Sequence, residues 1–146
     1  MKQIKFNEPK VLKALLEKTK TSTLRKAYYI DVQIIPKLCK YELGEVIELV
    51  WTGKDNDSIS SFVKKGDILG KVRIASIDKV DIEFFKLNGI MEILHKKRVV
   101  TSDGISALSY TEGFDSTSEM FKFLLSYAPK IQERAMPFWL IEWIYL

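Results

Sequence analysis

The chain has 146 residues, 47% of them apolar and 29% charged, the balance of a globular protein, and a chain of this size buries roughly 68–70% of its unfolded surface in one core. The single cysteine, Cys39, excludes an internal disulfide framework and a cysteine-based zinc site, and the single histidine, His95, excludes a histidine-based metal site. The net charge of +4 is uneven: residues 1–40 carry 10 Lys/Arg against 3 Asp/Glu, whereas the other 106 residues carry 13 against 16.

No apolar run has the flanks of a signal peptide or the length of a bilayer span. The expectation is one domain over residues 1–146, cytoplasmic, with no metal, no cofactor and no membrane partner. Affinity for a polyanion grows with the cations presented together, so the basic first quarter points to nucleic acid or nucleotides. A solvated lysine-rich face explains the same charge without a partner.

In chain order, Ile4–Phe6 reads as a first strand. Asn7 is a good N-cap, Pro9 suits a first turn, and Val11, Leu12, Leu15 and Leu16 recur at helical spacing, which predicts a helix over residues 8–18. Thr23–Val32, rich in Tyr, Ile and Thr, reads as a strand, and Pro36–Tyr41 is ambiguous. Gly44–Thr52 is a strand, Gly53–Ser61 a polar loop, and Lys65-Gly66-Asp67 a turn into a second strand over Ile68–Val80. Asn88-Gly89 marks a hairpin between Ile82–Leu87 and Ile90–Leu94, extended by Val99 and Val100, with a helix over Ile90–Lys97 as the competing reading. Asp103 opens a short helix ending near Gly113. Ser116 and Glu119 have capping-box spacing, predicting a helix over residues 116–127 that Pro129 stops. Ala128–Met136 is a loop, and Phe138–Leu146 reads as a strand buried on both sides. Short strands with a few helices give an α+β fold, and a small, mostly antiparallel barrel would close its own edges.

Four segments stand out in order: the helix Val11–Leu16 with Lys20-Thr21-Ser22-Thr23-Leu24-Arg25, the turn Lys65-Gly66-Asp67-Ile68-Leu69, the segment Glu112-Gly113-Phe114-Asp115-Ser116 with Glu119-Met120-Phe121, and the closing strand Phe138-Trp139-Leu140-Ile141-Glu142-Trp143. Together they resemble the ASCH family of PUA-like proteins. The chain departs from the family where glycine often stands two residues before the motif lysine, a position held here by Lys18. Ile82–Val100 has no counterpart. The resemblance implies a PUA-like β-barrel with peripheral helices that binds RNA, single-stranded nucleic acid or a nucleotide in a basic pocket, of a kind found in phages and bacteria. It also implies a second activity. Some family members are amidohydrolases that deacetylate acetylcytidine, and their catalytic positions match Lys20, Thr23 and Glu112.

That chemistry is coherent. A threonine hydroxyl becomes nucleophilic when a base takes its proton, and lysine serves as that base when burial or neighbouring cations lower its pKa. Lys18, Arg25 and Lys26 supply cations for this and for ligand phosphates. Glu112 can pass a proton to the departing amine if an apolar pocket raises its pKa. The structural alternatives are a solvated Lys20 and Arg25, Thr23 capping a strand, and Glu112 closing a helix or pairing with Arg25. A protein-interaction domain with a closed pocket is a further alternative. His95 with Lys96–Arg98 reads as a surface turn, Cys39 as a small buried hydrophobe, and Trp51, Trp139 and Trp143 as core with at most one lining a pocket. Glu142, alone among apolar residues, needs a partner or an exit to solvent, and the barrel mouth near Lys20 or Arg25 is one such place.

Overall fold

A computed structural model describes residues 1–56 and 62–146. The chain runs β1 (Gln3–Phe6), α1 (Pro9–Leu16), β2 (Ser22–Lys26), β3 (Tyr28–Ile30), β4 (Ile34–Pro36), β5 (Val46–Trp51), β6 (Ile68–Phe85), β7 (Ile90–His95), β8 (Arg98–Val99), α2 (Ser102–Thr111), α3 (Thr117–Tyr127), a 3₁₀ turn (Pro129–Gln132) and β9 (Met136–Tyr145). The fold is α+β and mostly antiparallel: seven strands form one sheet and β3–β4 a second, and among the described strands only β1–β5 pair in parallel.

The long β6 organises the sheet. Its first half pairs with β5 and its second half with β7, while β9 runs along its other edge and passes the sheet on to β2. No closed barrel is found among the described residues: β1 and β2 are both sheet ends, and no ladder joins them. Val11, Leu12 and Leu15 of α1 and Met120 and Leu124 of α3 enter the same core as Ile47, Leu49, Val72, Ile74, Phe138 and Trp143.

Several boundaries differ from the sequence expectation, each for a local reason. The N-cap of α1 is Glu8 rather than Asn7, its carboxylate accepting from the N–H of Lys10. The helix stops at Leu16 because Thr19 and Lys20 both donate backbone N–H groups to Ala14 O, which wraps the chain back through Lys18 at φ 61°. A turn therefore stands where the resemblance would place glycine, made by a lysine in the left-handed region. The run Thr23–Val32 is two strands: the N–H of Ala27 turns to Pro137 O, and β3 leaves for the small sheet. Val99 does not extend β7. Lys96 and Lys97 both take positive φ, the geometry of a tight hairpin, and β8 folds back onto β7. The segment 90–97 is strand and turn rather than helix. Residues 136–145 form a strand with one buried side, since Glu142 and Ile144 are exposed beside buried Ile141 and Trp143. Ser116 caps α3 by accepting from the N–H of Glu119, as its spacing predicts. Residues 57–61 of the expected polar loop lie outside the described residues.

Candidate functional site

The turn at Lys18 delivers Lys20 into the interior. The Thr21 N–H donates to Thr111 O, the Trp143 N–H to Thr21 O, and the Tyr145 hydroxyl to Lys20 O, so the backbone here is laced between the end of α2 and β9. The Lys20 side chain is 3% exposed. Its ammonium donates to Ser22 O at 2.7 Å and to Glu112 O at 2.5 Å and lies 5.4 Å from the centre of the Phe6 ring. Burial lowers its pKa from 10.5 to about 8; the Glu112 carboxylate opposes that fall and the Arg25 guanidinium adds to it.

Glu112 closes the C-terminus of α2 and is 4% exposed. One carboxylate oxygen accepts the Leu24 N–H at 2.9 Å and the other takes the Ser22 hydroxyl, which also contacts Thr111 Oγ1 at 3.0 Å. The carbonyl of Ser22 and the N–H of Leu24 lie on one edge of a strand, the edge of β2 opposite β9. Lys20 and Glu112 thus satisfy, with side chains, the backbone groups a neighbouring strand would otherwise take. Gly113 makes room for this pair. Its φ is +89°, and a Cβ there would meet Ala14 Cβ at 3.1 Å and Lys20 Cδ at 3.2 Å.

Arg25 bridges the gap between β2 and β1. Its Nη2 donates to Lys5 O at 2.9 Å, its Nε to Thr23 Oγ1 at 3.2 Å, and its guanidinium lies 5.0 Å from the Phe6 ring centre. Beside it opens a cleft of about 150 Å³ whose lining includes Lys5, Phe6, Glu8, Lys20, Thr23, Arg25 and Glu112 together with the aromatics Phe114, Phe123 and Tyr127. These three aromatics form a ladder: Phe114 and Phe123 are 5.4 Å apart, and Phe123 and Tyr127 are stacked 5.4 Å apart with planes 9° from parallel.

The structure therefore brings Lys20, Thr23, Arg25 and Glu112 to one cleft, although Lys20 and Glu112 are 92 positions apart. It does not bring all the expected residues there. Lys18 is exposed, its ammonium 5.8 Å from the Tyr145 ring centre and outside the cleft lining. Lys26 lies beyond Arg25, its ammonium 4.6 Å from the Tyr127 ring centre. The hydroxyl of Thr23 accepts from Arg25, while the ammonium of Lys20 is spent on two carbonyls. Glu112 is tied to Ser22 and Leu24 rather than to Arg25. Glu142 exits to solvent away from the cleft. Cys39 is half-buried and lines a groove, Trp139 lines that groove too, and Trp51 and Trp143 are core. His95 sits on the surface, 3.6 Å from Asp78.

Sequence reasoning missed Ser22, Gly113, Lys5 and the aromatic ladder. The ladder had a signal: Phe123 and Tyr127 are four apart on a capped helix, hence on one face, and Phe114 precedes that helix. Among the described residues no group of three or more His, Cys, Asp or Glu is placed to hold a metal ion. Comparison with known proteins finds no matching family model and no significantly similar curated protein or solved structure.

Proposed function

We propose that this chain is an ASCH-like domain on an opened PUA-like barrel, acting in the cytoplasm, and that the cleft at Arg25 binds the base of an RNA nucleotide. The observation that carries this reading is that the Phe114–Phe123–Tyr127 ladder and the cations Lys5 and Arg25 line one small cleft. Aromatic faces accept a base by stacking, and guanidinium and ammonium groups take the phosphate attached to it. The size fits a single planar group: at about 150 Å³ the cleft is below the ~300 Å³ where sites for drug-sized ligands begin. In this reading Lys20 and Glu112 hold the edge of β2, while Arg25, Thr23 and the aromatics meet the ligand. The test is a titration with uridine or cytidine monophosphate followed by calorimetry. Phe123→Ala should weaken binding by about 1–3 kcal/mol, the worth of one stacked base. Binding of equal strength in wild type and Phe123→Ala would refute the assignment.

A second reading, hydrolysis of an acylated nucleoside such as acetylcytidine, has one observation in its favour. Lys20, its pKa brought down to about 8, lines the same cleft as Thr23. It requires Lys20 to turn from the Ser22 and Glu112 carbonyls to the Thr23 hydroxyl. Turnover of acetylcytidine that rises with pH through about 8 and disappears in Thr23→Val supports it; wild-type protein that leaves acetylcytidine intact refutes it for that substrate.

A further inference from the structure

A second groove, of about 260 Å³, also has Arg25 in its lining. Its lining includes Lys5, Arg25, Lys26, Lys37 and Lys40 and no carboxylate. It shares Lys5, Arg25 and Tyr127 with the cleft described above, so the two depressions adjoin at these three residues. Half of the ten cations in residues 1–40 line this groove, and Lys20 lines the cleft beside it. Six of those ten cations thus line the two depressions, while Lys2, Lys10, Lys13 and Lys18 are exposed elsewhere.

The groove is held in shape by contacts from several elements. Residues 37–41, which the sequence left ambiguous, form its outer wall and are tied down along their length. The Lys37 N–H donates to Ala27 O, Trp139 Nε1 donates to Lys37 O at 2.9 Å, Lys2 Nζ to Lys40 O at 2.5 Å, and the Tyr41 hydroxyl to Gln3 O at 2.8 Å. Among the described residues, none of the groove's cations forms an ion pair with a carboxylate. Lys26 lies over Tyr127 at 4.6 Å and Lys40 over Tyr41 at 5.2 Å, and neither forms an ion pair among the described residues. The nearby Glu45 is engaged with Lys2 at 3.1 Å. A cation held against an aromatic face keeps its N–H donors for an anion, whereas a salt-bridged one does not.

We propose that this groove is a phosphate track, so that the ligand is a single strand of nucleic acid rather than a free nucleotide. One base enters the aromatic cleft, and the adjoining phosphates cross Arg25 and run along Lys26, Lys37 and Lys40. The proposal rests on the base-binding reading of the cleft and adds a ligand class, a phosphodiester chain longer than one nucleotide. A mononucleotide in the cleft leaves the second groove empty. A strand fills it, and its affinity carries the salt dependence of counterion release.

The experiment compares uridine monophosphate with a labelled octauridylate and the matching octadeoxyuridylate, by calorimetry and fluorescence anisotropy over a salt series. The proteins are wild type, the double variant Lys37→Ala/Lys40→Ala, and Phe123→Ala. Lys40 is exposed and Lys37 half-exposed, so the double variant leaves the core intact. The octamer should bind wild type more tightly than the monophosphate. The double variant should lose octamer affinity and flatten the log K against log salt slope by about 0.7 for each lost single-strand phosphate contact, while binding the monophosphate as wild type does. Tight binding of either oligomer supports a strand, and a difference between them identifies the sugar. An octamer bound no better than the monophosphate, or a double variant with unchanged octamer affinity and slope, overturns the track and leaves the cleft reading standing. Octamer binding that depends on Lys37 and Lys40 but not on Phe123 overturns the cleft reading while keeping the track. No binding of either ligand overturns both.

Discussion

Burial of Lys20 has a measurable consequence for stability. In the unfolded chain this lysine titrates near 10.5; in the folded protein burial brings it to about 8. Between those values the unfolded state binds more protons than the folded one, so stability rises with pH across that window. Below about pH 8 the group is charged in both states and its burial costs stability; above about pH 10.5 it is neutral in both and that cost is gone. The gap from 10.5 to about 8 corresponds to about 3 kcal/mol in all, of which about 2 kcal/mol should return between about pH 7 and pH 9.5. The raised pKa values of Tyr28, Tyr41 and Tyr145 act in the opposite direction, with loss of stability as pH climbs past their ordinary value of 10.0, so the measurement stops below it.

The assay is urea unfolding of wild type and Lys20→Met at several pH values from about 7 to 9.5. Other titrating groups cancel in the difference between the two proteins. Wild type should gain about 2 kcal/mol relative to Lys20→Met across the range. Parallel curves refute the reasoning. Should Lys20→Met fail to fold, an NMR titration of the lysine side chains in wild type answers the same question: one lysine should titrate near 8, and every lysine titrating near its ordinary value would refute a buried charged Lys20.

Two further outcomes follow from backbone geometry. Gly113→Ala should cost about 2 kcal/mol or more, because it sets an L-residue at positive φ and drives a Cβ against Lys20 and Ala14; a urea midpoint equal to that of wild type refutes this. Lys18→Gly should stabilise by up to about 1 kcal/mol, since glycine removes the left-handed strain at φ 61° while giving back part of the gain as unfolded-chain entropy; a lowered melting temperature would count against strain at this turn.

What the sequence disclosed was mostly local. The Ser116–Glu119 cap, the hairpin at Asn88-Gly89 and the Lys65-Gly66-Asp67 turn each depend on neighbours within a few residues, and each appears where expected. The break between β2 and β3 was hidden because Tyr28, Tyr29 and Ile30 have the propensity of a continuing strand. It is set from afar by Pro137, whose carbonyl takes the Ala27 N–H. Clustering of Lys20 with Glu112 was legible only through a resemblance; nothing in the spacing of residues 92 apart brings them together. That Lys20 would be buried ran against the usual behaviour of lysine. Its burial depends on the carbonyl of Glu112 at the end of α2, the carbonyl of Ser22 in β2 and a missing Cβ at Gly113. Part of the aromatic ladder was legible from helical spacing, since Phe123 and Tyr127 stand four apart on α3.

The location of the site follows from where the sheet stops. β1 and β2 are both ends, and an exposed strand edge carries backbone donors and acceptors that need partners. Pairing the two strands would have satisfied those groups and removed the opening between them. This chain instead meets part of the demand with side chains: Lys20 on Ser22 O, Glu112 on the Leu24 N–H, Arg25 on Lys5 O. Carbonyl oxygens need donors, and the strongest side-chain donors are cations. An edge capped in this way acquires positive charge. Glu112 faces the one N–H among these three contacts and is held inside by Ser22 and Leu24, whereas Arg25 remains half-exposed at the mouth. The seam between β1 and β2 therefore presents a cation to the solvent with aromatic faces beside it, the two features that the proposed binding of a base with its phosphate requires.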